Sequence, residues 1–248
     1  MKARRKSRKQ TSREIRMTGI TAPVEVRHHP AAQRMTLRVS HTRRAVIVTL
    51  PMQCDLEQAG KFLSRHIDWV NAKLGNVPEP VPFADGATIP LRGLPHTISF
   101  LGQSRRGRVV TKEETHTGRK LHVSGDLEHA PRRFHDWLLK EARSDLDARV
   151  QHHARYLGLR PRGITVRDQV SRWGSCSTTG MLSFSWRLVL APPLILDYVA
   201  AHEVAHLAEM NHGARFWDLV RETMPRMDEA KRWLQIYGMD LHRFGSNG

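Results

Sequence analysis

The sequence predicts an α+β fold, and three observations carry that prediction. Short segments that alternate apolar and polar residues recur between positions 24 and 123, as half-buried strands do. A stripe of apolar residues spaced four apart runs from Phe134 to Ala154, which is the signature of one buried helix face. A second helical run then follows a strand hairpin and ends in His-Glu-Val-Ala-His at 202–206. The expected organisation is a basic tail at 1–17, a β-rich N-terminal region with one helix at 18–128, and a histidine-bearing C-terminal region at 129–248. In that last region the histidine-bearing helix packs on a small, mostly antiparallel sheet.

Residues 1–17 hold eight Lys or Arg against the single acid Glu14, a polar and self-repelling composition that predicts disorder. Such a tail attracts acidic surfaces, and nucleic acid is the partner considered for it. Aromatic residues do not interleave with its charges, so base stacking has no support. Val24–Arg27, Met35–Val39 and Ala45–Leu50 read as strands, the last ended by Pro51. Asp55–Leu74 reads as one helix with Ala59, Phe62, Leu63, His66, Trp69 and Val70 on a single face. Residues 75–82 hold three prolines and read as a loop. Strands resume at Ile89–Leu91, His96–Leu101, Arg108–Val110 and Lys120–Val123.

A long helix is expected from Pro131 to Leu157, with His152 and His153 facing solvent near its end. Ile164–Val166 is a short strand. Arg172–Ser177 and Leu182–Leu190 form a hairpin around Thr178-Thr179-Gly180. Cys176, without a partner nearby, reads as a small buried hydrophobe rather than a nucleophile or ligand.

The chain has 248 residues, 40% of them hydrophobic, enough for a real core. Cys54 and Cys176 make no disulfide framework and fit a reducing, cytoplasmic setting. The basic start leads into Thr18-Gly19-Ile20-Thr21 without the apolar region of a secretory signal. The most apolar stretch, Leu188–Leu196, contains two prolines and is too short to span a bilayer.

Pro192-Pro193 can open a helix, because the missing N–H of proline has no partner in a first turn anyway. From Leu194 to Met210 neither glycine nor proline intervenes. His202 and His206 then share one face and can grip one ion. Glu203 is placed to reach a water held by that ion. On a straight helix His212 would sit at about 1000° of rotation from His202, roughly 80° off the shared face. The chain must therefore turn between Glu209 and Asn211, and asparagine tolerates the left-handed conformation such a turn uses. Glu222 and Glu229 are rival third ligands, both among charged neighbours. Three imidazoles suit a single Zn²⁺ with one position open for water.

The chain resembles the YgjP-like metallopeptidase family, grouped with SprT-type proteases. The resemblance rests on RWGSCS at 172–177, SWRLVLAP at 185–192 and DYVAAHEVAHLAEMNHGARFW at 197–217, and extends over roughly 24–243. It implies a zincin-like catalytic fold with His202, His206 and His212 as zinc ligands and Glu203 as catalytic base and acid. The histidine spacing also matches metzincins, but Glu209 stands where those have glycine, and no methionine turn is apparent.

The function expected is peptide-bond hydrolysis by metal-activated water, with a protein or peptide as substrate. Tyr198, Arg172 and Arg187 are candidates for stabilising the oxyanion and stay outside the catalytic set. Two other functions are considered. A metal-dependent nucleotide pyrophosphohydrolase would need carboxylate-bound Mg²⁺ or a glycine-rich phosphate loop, neither of which is evident. A nucleic-acid-associated protein working through its tail would leave Glu203 without a role.

Overall fold

The computed structural model describes residues 12–40, 45–75, 79–102, 108–169 and 171–245. Two compact units divide between Glu79 and Pro80. That division differs from the boundary expected at 128/129, because the strands before 128 bury their apolar faces with the later helices rather than with the earlier strands.

The first unit holds β1 (Ser12–Ile15), β2 (Val24–His28), β3 (Thr36–Ser40), β4 (Ala45–Leu50), α1 (Leu56–Ser64) and α2 (Ile67–Gly75). Its sheet runs β1-β2-β4-β3, with β2 and β4 parallel and the outer pairs antiparallel. The end of the basic tail is thus a strand, contrary to the disorder expected for it; residues 1–11 lie outside the described residues. Val24, Val26, Val46, Val48 and Leu50 form the core with Ala59, Leu63 and Val70.

One helix was expected over 55–74, and the structure has two. Asp55 caps α1 by accepting from the Gln58 N–H at 2.8 Å, and Gln58 Oε1 accepts from the Asp55 N–H at 3.0 Å. The break follows from His66. Its ring Nδ1 lies 2.8 Å from the Phe62 carbonyl, the acceptor that its own N–H would use in a continuous helix. The His66 N–H bonds to Leu63 O at 2.9 Å instead. Trp69, expected on the buried face, is exposed.

The second unit opens with β5 (Thr88–Leu91), β6 (Leu94–Phe100), β7 (Val110–Thr115) and β8 (Gly118–Val123). They form a sheet in the order β5-β6-β8-β7. Against it lies α3 (Ala130–Tyr156), whose predicted stripe of Phe134, Leu138, Ala142, Leu146, Val150 and Ala154 is buried throughout. The β5–β6 turn carries Arg92 and Gly93 in the left-handed region, with φ of 50° and 77°. Gly93 is required there, since a Cβ would stand 3.0 Å from Pro192. Arg92 reaches α3, bonding Asp145 Oδ1 and Oδ2 at 2.8 Å each and Glu141 Oε2 at 3.0 Å.

After α3 come β9 (Gly163–Arg167), β10 (Gly174–Cys176) and β11 (Met181–Ser185), then α4 (Pro193–Ala205), α5 (Ala214–Thr223) and α6 (Met227–Tyr237). The small sheet runs β10-β11-β9, antiparallel in its first pair and parallel in its second. The strand expected over 182–190 is only half strand: it becomes a 3₁₀ helix at Trp186–Leu190, every residue of which is buried. Apolar–polar alternation continues through Trp186-Arg187-Leu188, but Arg187 is buried as well, so the alternation does not mark a solvent face there.

His153 is a further correction. It is 0% exposed rather than solvent-facing, and it lies 2.7 Å from both Asp197 Oδ1 on α4 and Thr223 Oγ1 on α5. Arg149 adds a fork onto the same carboxylate, at 2.5 and 3.0 Å. Burial pushes the Asp197 carboxyl up, but the bonds from His153 and Arg149 outweigh it and hold the group below its usual range. One polar knot therefore ties α3 to the helices that carry the histidine cluster. Among the described residues no helix is long and apolar enough to cross a membrane.

Candidate metal centre

The sequence 193–213 builds the centre by stopping one helix early. Helix α4 begins at Pro193 and ends at Ala205, so His206 is its C-cap rather than an interior residue. The last turn then tightens. Leu207 N–H bonds Val204 O at 3.0 Å and Ala208 N–H bonds Ala205 O at 3.1 Å, each three residues back. The expected reversal occurs, yet it starts at 206–208 and Asn211 does not adopt the left-handed conformation: Arg92 is the one non-glycine with positive φ among the described residues. Asn211 contributes its carbonyl, which accepts from the Gly213 N–H at 2.8 Å, just before α5.

This reversal brings His212 back to His202 and His206. One ligand atom from each of the three lies within 4.8 Å of the other two. The ring centroids are 4.9 Å apart for His202–His206, 5.0 Å for His202–His212 and 4.7 Å for His206–His212. His202 Nε2 and His212 Nε2 are 3.1 Å apart. Ligand bonds of about 2.0–2.1 Å at a tetrahedral ion set their donor atoms about 3.3 Å apart, so this spacing fits one ion held by both rings. His206 Nδ1 lies 2.9 Å from the Glu209 carbonyl, which takes its N–H and leaves the Nε2 lone pair for a metal. The residues present therefore fit a metal ion. Glu222 and Glu229 do not join the cluster, and Glu229 pairs with Arg226 at 2.8 Å.

Electrostatics favour the ligand form of these rings. Burial, reinforced by His206, His212 and Lys231, pushes His202 down to about 3, so the imidazole is neutral. Burial also lowers His206, against the raising effect of its bond to Glu209. Glu203 is 5% exposed. Burial pushes its carboxyl up to about 8, opposed by the positive charge of Arg172. Its Oε2 is buried with no hydrogen-bond partner among the described residues.

Two neighbours of the centre were not singled out in the sequence. Phe216 is fully buried, and its ring lies 4.8, 4.5 and 4.7 Å from His202, His206 and His212. It forms an apolar floor under all three. Its position four after His212 in a helical run was the available signal. Gly174 on β10 is the second: a Cβ there would stand 2.6 Å from both Cγ and Oε1 of Glu203. Nothing local marks that glycine, because the constraint comes from a helix some thirty residues later.

A cavity of about 470 Å³ opens over the cluster, lined by His202, Glu203, His206 and His212 on one side and by Arg172 and Gly174 among those on the other. Cys176 is half-buried on its wall, and burial followed by the nearby Glu203 pushes its thiol up. Of the oxyanion candidates, Arg187 is buried and committed to Asp168 and to the Phe244 carbonyl. Tyr198 is buried, its ring centroid 5.9 Å from that of His202, with its hydroxyl pushed up to about 12 by burial and then by Glu203 and Asp228. Arg172 faces the cavity.

A family profile described as YgjP-like, metallopeptidase domain, matches residues 33–237. Among solved structures, the chain is similar to the crystal structure of the metallopeptidase zymogen of Pyrococcus abyssi abylysin. The identity is 20% over 38% of this chain and 95% of that one, with a TM-score of 0.35. A likeness at that level carries no weight beyond the comparison. No curated protein matches the chain.

Proposed function

The chain belongs to the YgjP-like metallopeptidase family, and from that premise we propose that it is a zinc-dependent peptidase in which Glu203 serves as base and then acid. The observation that carries this reading is the three-histidine cluster with a buried carboxyl directly beside it. His202, His206 and His212 would hold the ion, and their neutral imidazole donors suit Zn²⁺. When bound, the ion supplies Lewis-acid polarisation of a carbonyl and makes water a better nucleophile near neutral pH.

The chain's own residues supply the rest. Glu203, buried beside the three histidines, would take the proton of the attacking water as a carboxylate and return it to the leaving amine. Gly174 keeps the backbone of β10 close to that carboxyl without a side chain in between. Among the described residues β10 pairs only with β11, and its other edge offers main-chain groups to an extended substrate. Phe216 keeps water from the far side of the histidines.

The test is Glu203→Gln, which keeps shape and removes the base. Zinc content stays at the wild-type level and hydrolysis of an unfolded protein falls by about 10²–10⁴-fold. Proteolysis that persists undiminished with zinc bound refutes Glu203 as the base. Hydrolysis of nucleoside triphosphates by a wild type that cleaves no peptide points to phosphoryl chemistry instead.

A further inference from the structure

A second groove of about 690 Å³ adjoins the cavity over the histidines, and the two share Ser171, Arg172, Ser175 and Cys176 as walls. It lies on the opposite face of the small sheet from Glu203. The strand period explains why. Gly174 is the residue of β10 set against Glu203, so Ser175 points the other way. Across the sheet Ser175 is in register with Ser183, and Ser183 with Thr165, which places a row of three hydroxyls on that face. The row lines the groove.

Cationic side chains outnumber anionic ones in the lining of this groove. Arg167 and Arg172 both line it, and neither has an ion-pair or hydrogen-bond partner among the described residues. The one carboxylate in the lining, Asp168, is engaged by Arg187. Gln169 Nε2 donates to Ser183 Oγ at 2.7 Å, while its Oε1 is buried without a partner. That leaves one unpartnered acceptor on a residue of the same groove lining as the two cations. A phosphodiester can satisfy the arginines and hydroxyls but has no hydrogen-bond donor for Gln169. A peptide offers both a carboxylate side chain and N–H groups.

We propose that this groove binds an acidic side chain of a peptide substrate, with Arg167 and Arg172 as the residues that select it. The proposal rests on the peptidase reading and adds a preference to it. A peptide strand laid along β10 alternates its side chains between the two faces. One residue therefore faces the histidines while its neighbour enters the arginine-lined groove. Arg172, which lines both cavities, marks the passage between them.

The experiment is fluorescence-polarisation binding of dye-labelled extended peptides to the full chain without metal, at physiological salt. Each glutamate-containing peptide is paired with its glutamine counterpart. The expected result is about tenfold tighter binding of the glutamate form, from two partly exposed charge contacts. Arg167→Ala reduces that preference, and Arg167→Glu reverses it toward a lysine-containing peptide. Arg132→Ala, an exposed arginine of α3 outside the groove, retains the preference. The inference is overturned by equal affinity for both forms, or by an equal loss of preference in Arg132→Ala and Arg167→Ala. It is also overturned if inorganic triphosphate binds the groove while acidic peptides bind no tighter than neutral ones.

Zinc-loaded protein assayed on the same peptides separates the two readings. Cleavage without acidic preference refutes the groove and leaves the peptidase standing. Acidic preference in binding, lost in Arg167→Ala but with no peptide cleaved, supports the groove and refutes the peptidase.

Discussion

Gly174→Ala places one methyl group where the structure has least room for it. The added Cβ would lie 2.6 Å from Cγ and Oε1 of Glu203 and 2.8 Å from Cδ. Ordinary carbon contacts are about 3.5–4.0 Å, so the carboxylate must retreat by about 1 Å. The backbone does not object, because the φ of Gly174 lies outside the left-handed region. The three atoms nearest the methyl all belong to Glu203, so its first effect is on that side chain. A displacement of about 1 Å at a reacting group costs about 10²-fold, which is about 2.7 kcal/mol of transition-state stabilisation. Overpacking costs about 1 kcal/mol of stability here, the low end of its range, because a side-chain terminus can move where backbone cannot.

The assay is kcat/KM on an unfolded protein, with zinc content and a denaturation midpoint measured on the same preparation. Activity should fall by about two decades while zinc remains bound, since His202, His206 and His212 are untouched. Gly60→Ala on α1, where a Cβ meets nothing within 4 Å, is the control that keeps activity. A folded, zinc-replete Gly174→Ala protein with activity within about threefold of wild type would refute the role given to Glu203.

Two further perturbations probe other links in the same chain of reasoning. His212→Ala should lower zinc affinity by more than about 100-fold in a chelator competition, since even residues that only orient a metal ligand cost about 10–100-fold when lost; unchanged affinity would mean that His202 and His206 recruit another ligand. The third perturbation concerns His242, which is buried against Trp173 at 4.9 Å between ring centroids. Burial, and then the charge of Arg187, pushes it down to about 4 against the opposing Asp168. An unfolded histidine takes up its proton near pH 6.5, so between about 6.5 and 4 the unfolded state binds more protons and stability falls as pH falls. His242→Phe keeps a ring against Trp173 and removes that contribution, so denaturation at pH 7 and pH 5 should show a smaller loss in the variant than in wild type. Equal losses would show that His242 is not held neutral by the fold.

The parts of this protein legible in its sequence are those set by local periodicity and by residue chemistry. The stripe from Phe134 to Ala154 faces the core as its spacing requires. His202 and His206 share a helix face, and the need for a turn before His212 follows from helix rotation alone. The details of that turn did not follow. The helix stops at Ala205, where the Val204 and Ala205 carbonyls accept from N–H groups three residues on, a tightening that no residue of the turn announces in the sequence. The strand expected through Leu190 failed at Trp186 because Ser185 and Arg187, the polar residues of the alternation, are buried too, and only the packing decides that.

Pairings distant in sequence were out of reach for a different reason. His153 looks like any histidine near a helix end until α4 and α5 bring Asp197 and Thr223 to its ring. Gly174 looks like a loop glycine until α4 sets Glu203 against it. The division at Glu79–Pro80 falls in the proline-bearing loop read over 75–82, but which apolar faces gather on either side of that loop is not legible from composition. Spacing along a chain tells which residues share a face. What that face meets is settled by burial among segments far apart in sequence, and it was there that the histidines acquired their floor in Phe216 and the carboxyl of Glu203 its place beside them.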